Sequence, residues 1–343
     1  MREPRPGRRP HLGGAPSTGP RPVPTPRTAA LGALAVLVAA LLFSVNGTVS
    51  KIALQSGLST MRLVELRSLG SAVILMAAVL VVAPGRLRVR GKELAAIGIL
   101  GVVGMALVQW LYFVAISRLP VGVALLLEFT APLLVALWAR FVLRESVRAR
   151  VWWALAACLS GLALVARVGQ GITLDAVGVA AGLGAAVCLA TYFLLGDRLV
   201  RARDPLSTQA VSMVFAAAFW IVLQPLWTFD TRVLTAEVAL PGILAGQTPP
   251  LWALVTWIVV LGTVVPYVLV LAGLARIGPA RAGVIGMVEP VGAGAVAWVV
   301  LGESMTATQL AGGAVVLAGV LLAETARTRP VSPPAPVSDA VLP

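Results

Sequence analysis

The sequence predicts an all-α membrane protein with ten transmembrane helices, arranged as two inverted five-helix repeats with the N- and C-termini cytoplasmic. Three observations carry this. Apolar residues make up 59% of the 343 and charged residues 12%, with a mean hydropathy of +0.93, which leaves too few polar side chains to cover a water-facing surface. Residues 118 to 166 and 276 to 324 align without a gap at a constant offset of 158, and 13 of the 49 aligned positions are identical. Basic residues, finally, gather in alternate loops.

Apolar runs bounded by turn and charge signals place five spans near residues 30 to 50, 66 to 83, 94 to 115, 120 to 142 and 151 to 167. Five more fall near 174 to 196, 207 to 227, 251 to 275, 279 to 301 and 307 to 324. The runs are continuously apolar and lack the period-2 alternation of barrel strands. Each is about the length that crosses roughly 30 Å of hydrocarbon as a helix. The first repeat then covers residues 29 to 167 and the second 168 to 324. Residues 1 to 28 and 325 to 343 carry no apolar periodicity, and the former are rich in Pro, Arg, Gly, Ser and Thr; both read as disordered cytoplasmic tails.

Orientation follows from charge, because cytoplasmic loops collect Lys and Arg. With the N-terminus inside, 20 of the 27 basic residues fall in cytoplasmic segments, for example Arg86, Arg88, Arg90 and Lys92, or Arg198, Arg201 and Arg203. Six fall outside (Lys51, Arg62, Arg67, Arg118, Arg167 and Arg232), and Arg140 lies within a span. The same distribution accounts for the net charge of +13 by membrane orientation and attraction to anionic lipid, without a nucleic-acid partner. Five spans separate equivalent positions of the two copies, so the second copy lies upside down, an arrangement characteristic of secondary transporters.

Several chemistries find no support. The single His11 lies in the N-terminal tail, and Cys158 and Cys188 stand at no ligand spacing, so neither a metal site nor a His-assisted nucleophile is expected in the membrane core, and no cofactor is implied. Nor is there a Walker loop, a serine elbow or a pair of intramembrane aspartates. The cysteines read as small packing residues. The triplet Asn46-Gly47-Thr48 matches a glycosylation acceptor but lies within a span.

Polar groups at membrane depth are therefore the candidates for function, since an ionised carboxylate there costs about 2.5–3.5 kcal/mol on insertion scales. Glu128 lies near the middle of the fourth span and Glu289 near the middle of the ninth. Each is a candidate for substrate contact or proton exchange, against the alternative that a protonated glutamate simply bonds a neighbouring helix. They are not equivalent copies: at offset 158 Glu128 aligns with Gly286, and Glu289 with Ala131. The mismatch of three residues is about one helical turn, so both can face one cavity. Pro132 and Pro290 are true copies, each expected to remove a mid-span hydrogen bond and kink its helix; for Pro132 the freed carbonyl is that of Glu128. Gln109 aligns with Tyr267, and these two, with Asn46 and more weakly Tyr112 and Tyr192, are further cavity candidates. Glu145 and Glu303, in Leu143-Arg144-Glu145-Ser146 and Leu301-Gly302-Glu303-Ser304, follow the last apolar turn of spans four and nine, which suits a capping or loop-locking role.

These residues resemble the drug/metabolite transporter superfamily, specifically its EamA-type exporters. The resemblance rests on Arg276-Ile277-Gly278-Pro279-Ala280-Arg281-Ala282 leading into Glu289-Pro290, then Leu301-Gly302-Glu303 and the Gly312 to Gly319 stretch. In the first copy it rests on Pro132, Leu143-Arg144-Glu145 and Gly161, with Arg67 matching an arginine common at the head of span two. Where the family usually shows a tryptophan-glycine pair, span one has Val45-Asn46-Gly47, and Glu128 is not a general family feature. The resemblance implies a multi-pass plasma-membrane protein exporting a small metabolite such as an amino acid by alternating access, often with protons as partner, and no enzyme. A non-transporting polytopic protein, such as a scaffold, sensor or lipid-processing enzyme, is the alternative. Gly178 and Gly182 suit internal packing as well as a homodimer face. Two single-cysteine variants, Glu145→Cys and Glu303→Cys, are expected to react with an impermeant maleimide from opposite sides of the membrane; labelling from one side refutes the inversion.

Overall fold

The computed structural model describes residues 25–82, 84–87, 89, 91–142, 149–165 and 175–326. Among them the chain is helical, with one isolated antiparallel bridge between Glu237 and Pro250. The helices are α1 (Pro26–Gln55), α2 (Thr60–Val82), α3 (Lys92–Gly101), α4 (Val108–Arg118), α5 (Val121–Glu128), α6 (Ala131–Phe141) and α7 (Ala149–Val165). Then come α8 (Ala176–Ala202), α9 (Pro205–Leu223), α10 (Leu251–Val259), α11 (Val265–Gly286), α12 (Val288–Leu301) and α13 (Ala307–Ala326). Among the described residues seven stretches are long and apolar enough to cross a membrane, and Val121–Val135, Trp152–Val165 and Ala307–Leu322 are shorter apolar helices.

Local chemistry sets the ends. Thr25 caps α1 by accepting from the Thr28 amide at 3.4 Å, with Pro26 in the first turn, so the helix starts inside the stretch expected to be tail. At the other end α13 runs to Ala326. Asp175 and Asp204 cap α8 and α9, accepting from the Gly178 and Ser207 amides at 2.7 and 3.0 Å. These are the side chains that satisfy orphan N–H groups at helix starts.

Two π-helical segments interrupt the long helices: Val102–Leu107 joins α3 to α4, and Val260–Val264 joins α10 to α11. They begin at positions related by the same offset of 158, so the repeat extends beyond the stretch in which its sequence identity was visible. Packing repeats with it. A Cβ on Gly262 would collide with Asn46 Oδ1, and one on the equivalent Gly104 would press on Tyr192 at 3.0 Å. Gly70 approaches Val259, and Gly101 approaches the Ser212 carbonyl. α1 lies along α11 and α12 as α8 lies along α4 and α5, while α2 pairs with α9, and α7 with α13.

The α7–α13 contact is the most extensive. A Cβ on Gly161 would lie 2.7 Å from the Gly312 carbonyl, and one on Gly312 2.7 Å from the Gly161 carbonyl. Cys158 donates its thiol to the carbonyl of its own repeat mate, Val316, at 3.4 Å. Both cysteines are free and buried. Gly178 and Gly182 face Leu119 and Leu127, so they serve internal packing. Trp152, Trp153, Trp227 and Trp252 lie on the surface, as interfacial anchors do.

One expectation needs correcting. The fourth apolar stretch is not one kinked helix: α5 ends at Glu128, residues 129–130 form a turn, and α6 starts at Ala131 with Pro132 in its first turn. The second copy breaks at the equivalent place, α11 ending at Gly286 and α12 starting at Val288, with Pro290 in the first turn. Proline costs little there, because first-turn N–H groups have no intrahelical partner. Residues 265–286 are helical, yet Gly32 abuts Arg276 while Ser44, three turns along α1, abuts Gly292, so the chain reverses direction close to the boundary expected near residues 275 to 279. Gly161→Leu is expected to force α7 and α13 apart and cost about 1–3 kcal/mol, read as a lower thermal midpoint in detergent; an unchanged midpoint refutes the close contact.

Candidate functional site

The two helix breaks carry the two carboxylates. Glu128 is the last residue of α5 and Glu289 the second of α12, one on each side of the equivalent break. Both are half-buried. They act electrostatically on each other, and each acts on Arg67. Around the breaks, polar side chains take up backbone groups that lipid cannot solvate. Ser44 donates to the Glu289 carbonyl at 2.9 Å, and Thr130 to the Leu127 carbonyl at 2.7 Å.

Arg67, marked in the sequence as a family-like arginine at the head of span two, is 5% exposed. Its Nε donates to Thr263 Oγ1 at 2.7 Å and its Nη2 to the Gly262 carbonyl at 3.3 Å, and its guanidinium lies 5.6 Å from the Phe113 ring centre. Thr263 in turn donates to the Ile258 carbonyl, five residues back, at 2.8 Å. The arginine is thus pinned to the π-helical segment, whose wide turn presents a carbonyl and a hydroxyl to it. Tyr112 and Tyr267 are within its electrostatic reach.

Of the other candidates, Gln109 follows the first π-segment and Tyr267 the second, both two residues past its last residue or one more. Both amide atoms of Gln109, and Asn46 Oδ1, are buried without a hydrogen-bond partner among the described residues. Tyr267 packs edge-on against Phe43, the ring centres 5.5 Å apart. Tyr192 lies against Gly104. Pro132 and Pro290 are buried at the starts of their half-helices. The Glu145 segment lies outside the described residues.

Glu303 forms a separate clasp at one end of the bundle. Gly302, at φ 70°, closes α12 in the left-handed conformation, with the Glu303 amide reaching back to the Ala297 carbonyl at 3.3 Å, and glycine adopts that conformation without steric cost. This aims Glu303 at α5: Oε2 accepts from the Val121 amide at 2.9 Å, and Oε1 pairs with Lys51 Nζ at 2.5 Å. Lys51 also donates to the Leu119 carbonyl at 2.7 Å. Nearby, Asp175 pairs with Arg118 at 3.2 Å; the Gly178 amide and then Arg118 hold its carboxyl below the usual range.

Lys51, Thr263 and Gln209 went unmarked in the sequence. A lysine closing an apolar stretch was the available signal for Lys51; nothing local marks the others. A cleft of about 470 Å³ lined by Gly85, Arg86, Arg203, Asp204 and Ser207 lies beyond the far end of α2, roughly 25 Å along the helix from Arg67. Its walls are joined by the Arg86–Asp204 pair at 2.8 Å and the Arg203–Glu93 pair at 3.3 Å, which ties loops together away from the membrane-depth cluster.

A family model described as EamA-like transporter matches the chain twice, at residues 30–167 and 176–325. The chain belongs to the EamA-like transporter family. It is a multi-pass protein of the plasma membrane and a transporter, not an enzyme. The threonine/homoserine exporter RhtA of Escherichia coli (strain K12) is 29% identical over 242 residues, 69% of this chain and 74% of that protein. An uncharacterized transporter of Archaeoglobus fulgidus is 30% identical over 213 residues, 62% of this chain and 70% of that one. YwfM, an uncharacterized transporter of Bacillus subtilis, is 26% identical over 66% of this chain and 72% of its own length. A protein crystal structure covering 86% of this chain and 96% of its own superposes with a TM-score of 0.55 at 19% identity, a likeness of fold.

For the EamA-like chain, Glu303→Gln retains an acceptor for the Val121 amide whereas Glu303→Ala removes it. The alanine variant is expected to lose about 0.5–2 kcal/mol more than the glutamine variant, read as the difference in thermal midpoint; equal losses refute the cap.

Proposed function

We propose that this EamA-like transporter is a secondary active exporter of a small metabolite such as an amino acid, working by alternating access with proton antiport. In this reading ten helices cross the membrane as two inverted five-helix repeats, residues 29 to 167 and 168 to 324, with residues 1 to 28 and 325 to 343 as cytoplasmic tails. Support comes from the charge distribution of the loops and from packing contacts that recur when the halves are exchanged, such as Gly262 on Asn46 and Gly104 on Tyr192. Export of an amino acid draws on the likeness to RhtA, whose name makes it a threonine and homoserine exporter.

The observation that carries the reading is that Glu128 and Glu289, at two equivalent helix breaks, lie within electrostatic reach of each other and of Arg67. Broken helices inside a bilayer are tolerated where they line a cavity or are buried in protein, and transporters place substrate and ion sites there. Burial disfavours a bare carboxylate, so either glutamate is suited to exchange a proton for a substrate group. In this reading Gln109, Tyr267 and Asn46 supply hydrogen-bonding groups to the substrate, Pro132 and Pro290 fix the breaks, and Glu145 and Glu303 lock the loops.

Reconstituted in liposomes under an imposed pH gradient, the protein is expected to drive amino-acid flux that collapses when the gradient is dissipated. Glu289→Gln is expected to lower the proton-driven component by about tenfold or more, the usual scale of coupling between two sites, while leaving counterflow exchange measurable. Absence of gradient-driven flux for every metabolite tried refutes proton antiport.

A further inference from the structure

We infer that Arg67 is the group that binds the substrate's carboxylate, so that the transported metabolite carries a free carboxylate; the inference rests on the transport reading above. Arg67, counted among the outside residues from the sequence, is buried within α2, a helix long and apolar enough to cross a membrane, yet none of its hydrogen bonds among the described residues goes to a carboxylate. Its partners are a hydroxyl, a carbonyl and a ring face, all neutral. Nη1 has no hydrogen-bond partner among the described residues, and an arginine held by one edge keeps the other for the paired N–H contacts that carboxylates favour.

Packing alone does not explain the charge. The second half carries the same contact in neutral form: Gln209 on α9 donates its Nε2 to Met105 Sδ at 3.3 Å, and Met105 is the repeat mate of Thr263 at offset 158. A side chain reaching from the α2 or α9 position onto a π-segment therefore needs no charge to hold the scaffold. The charge at Arg67 is specific to the first half, as Glu128 and Glu289 are each specific to one position.

The surroundings are built for a polar ligand. Asn46 and Gln109 are 4% and 5% exposed, and Asn46 Oδ1 and both Gln109 amide atoms lack partners among the described residues. Asn46 lies against Gly262, whose carbonyl receives Arg67. Gln109 stands one turn before Phe113, whose ring underlies the guanidinium. Buried amides without partners are costly unless a ligand or water completes them. Glu128 and Glu289 act on Arg67 electrostatically without pairing to it, an arrangement of separated opposite charges that suits a substrate with an ammonium at one end and a carboxylate at the other.

The test compares free acids with their methyl esters, which differ at the carboxylate alone. Binding of labelled α-amino acids, L-threonine first, is measured on the full chain in detergent, with each acid and its ester as competitors. The wild-type protein is expected to favour the acid over its ester by roughly 10- to 100-fold, the scale of a lost hydrogen bond to a charged group. Arg67→Gln is expected to abolish that preference while ester binding persists. Equal competition by acid and ester in the wild type overturns the inference without any variant, as does a preserved preference in Arg67→Gln, or no binding of any acid in the panel. Proteoliposome flux separates the two readings: acid-selective binding without flux supports the carboxylate site and refutes transport, whereas flux of carboxylate-free amines alone supports transport and refutes the carboxylate site.

Discussion

Lipid cannot hydrogen-bond a peptide group, and that constraint governs where this chain departs from regular helix. Two apolar stretches nevertheless break at equivalent places, after Glu128 and after Gly286. Each break releases carbonyl and amide groups that must be met by protein. Small polar side chains line both breaks: Thr130 donates to the Leu127 carbonyl at the end of α5, and Ser44 to the Glu289 carbonyl at the start of α12. The polar character of the bundle centre is thus a consequence of the breaks, and it makes a charged cluster there tolerable.

Scaffold and chemistry obey different rules in this fold. Contacts that set helix separation recur under exchange of the halves: Gly161 with Val316 and Gly319 with Cys158, Gly262 with Asn46 and Gly104 with Tyr192. The charged groups of the central cluster do not recur. Arg67 corresponds to the neutral Gln209 in its contact, and Glu128 and Glu289 occupy opposite sides of one break type. A repeated backbone gives two interchangeable packings, while unrepeated charges give the cluster one polarity.

The identity between residues 118–166 and 276–324 revealed the repeat because those segments keep one offset, and the structure extends it back to the π-segments at 102 and 260. The first two apolar helices of each half remained invisible as copies, since Asn46 and Tyr192 share no chemistry and the intervening loops differ in length. The kink expected at Pro132 is a full break because Phe129 and Thr130 leave the helix first, which a single proline rule does not foresee. Glu128 and Glu289 were legible as charges at membrane depth. Arg67 was legible only as a motif residue, for its meaning depends on a hydroxyl nearly two hundred positions away.

The clasp at Glu303 shows how such a bundle stays closed at one end without being welded. Its carboxylate caps α5 and pairs with Lys51, tying the end of α1 to the start of α5 and the end of α12. Both side chains are largely buried, 11% exposed for Lys51 and 17% for Glu303. Removing one partner leaves the other's charge poorly solvated, which makes breaking such a pair costly, and the helix cap contributes about 1 kcal/mol more. The clasp therefore fixes the geometry of this end, and in the proposed alternating-access reading it is the contact that opening here has to break.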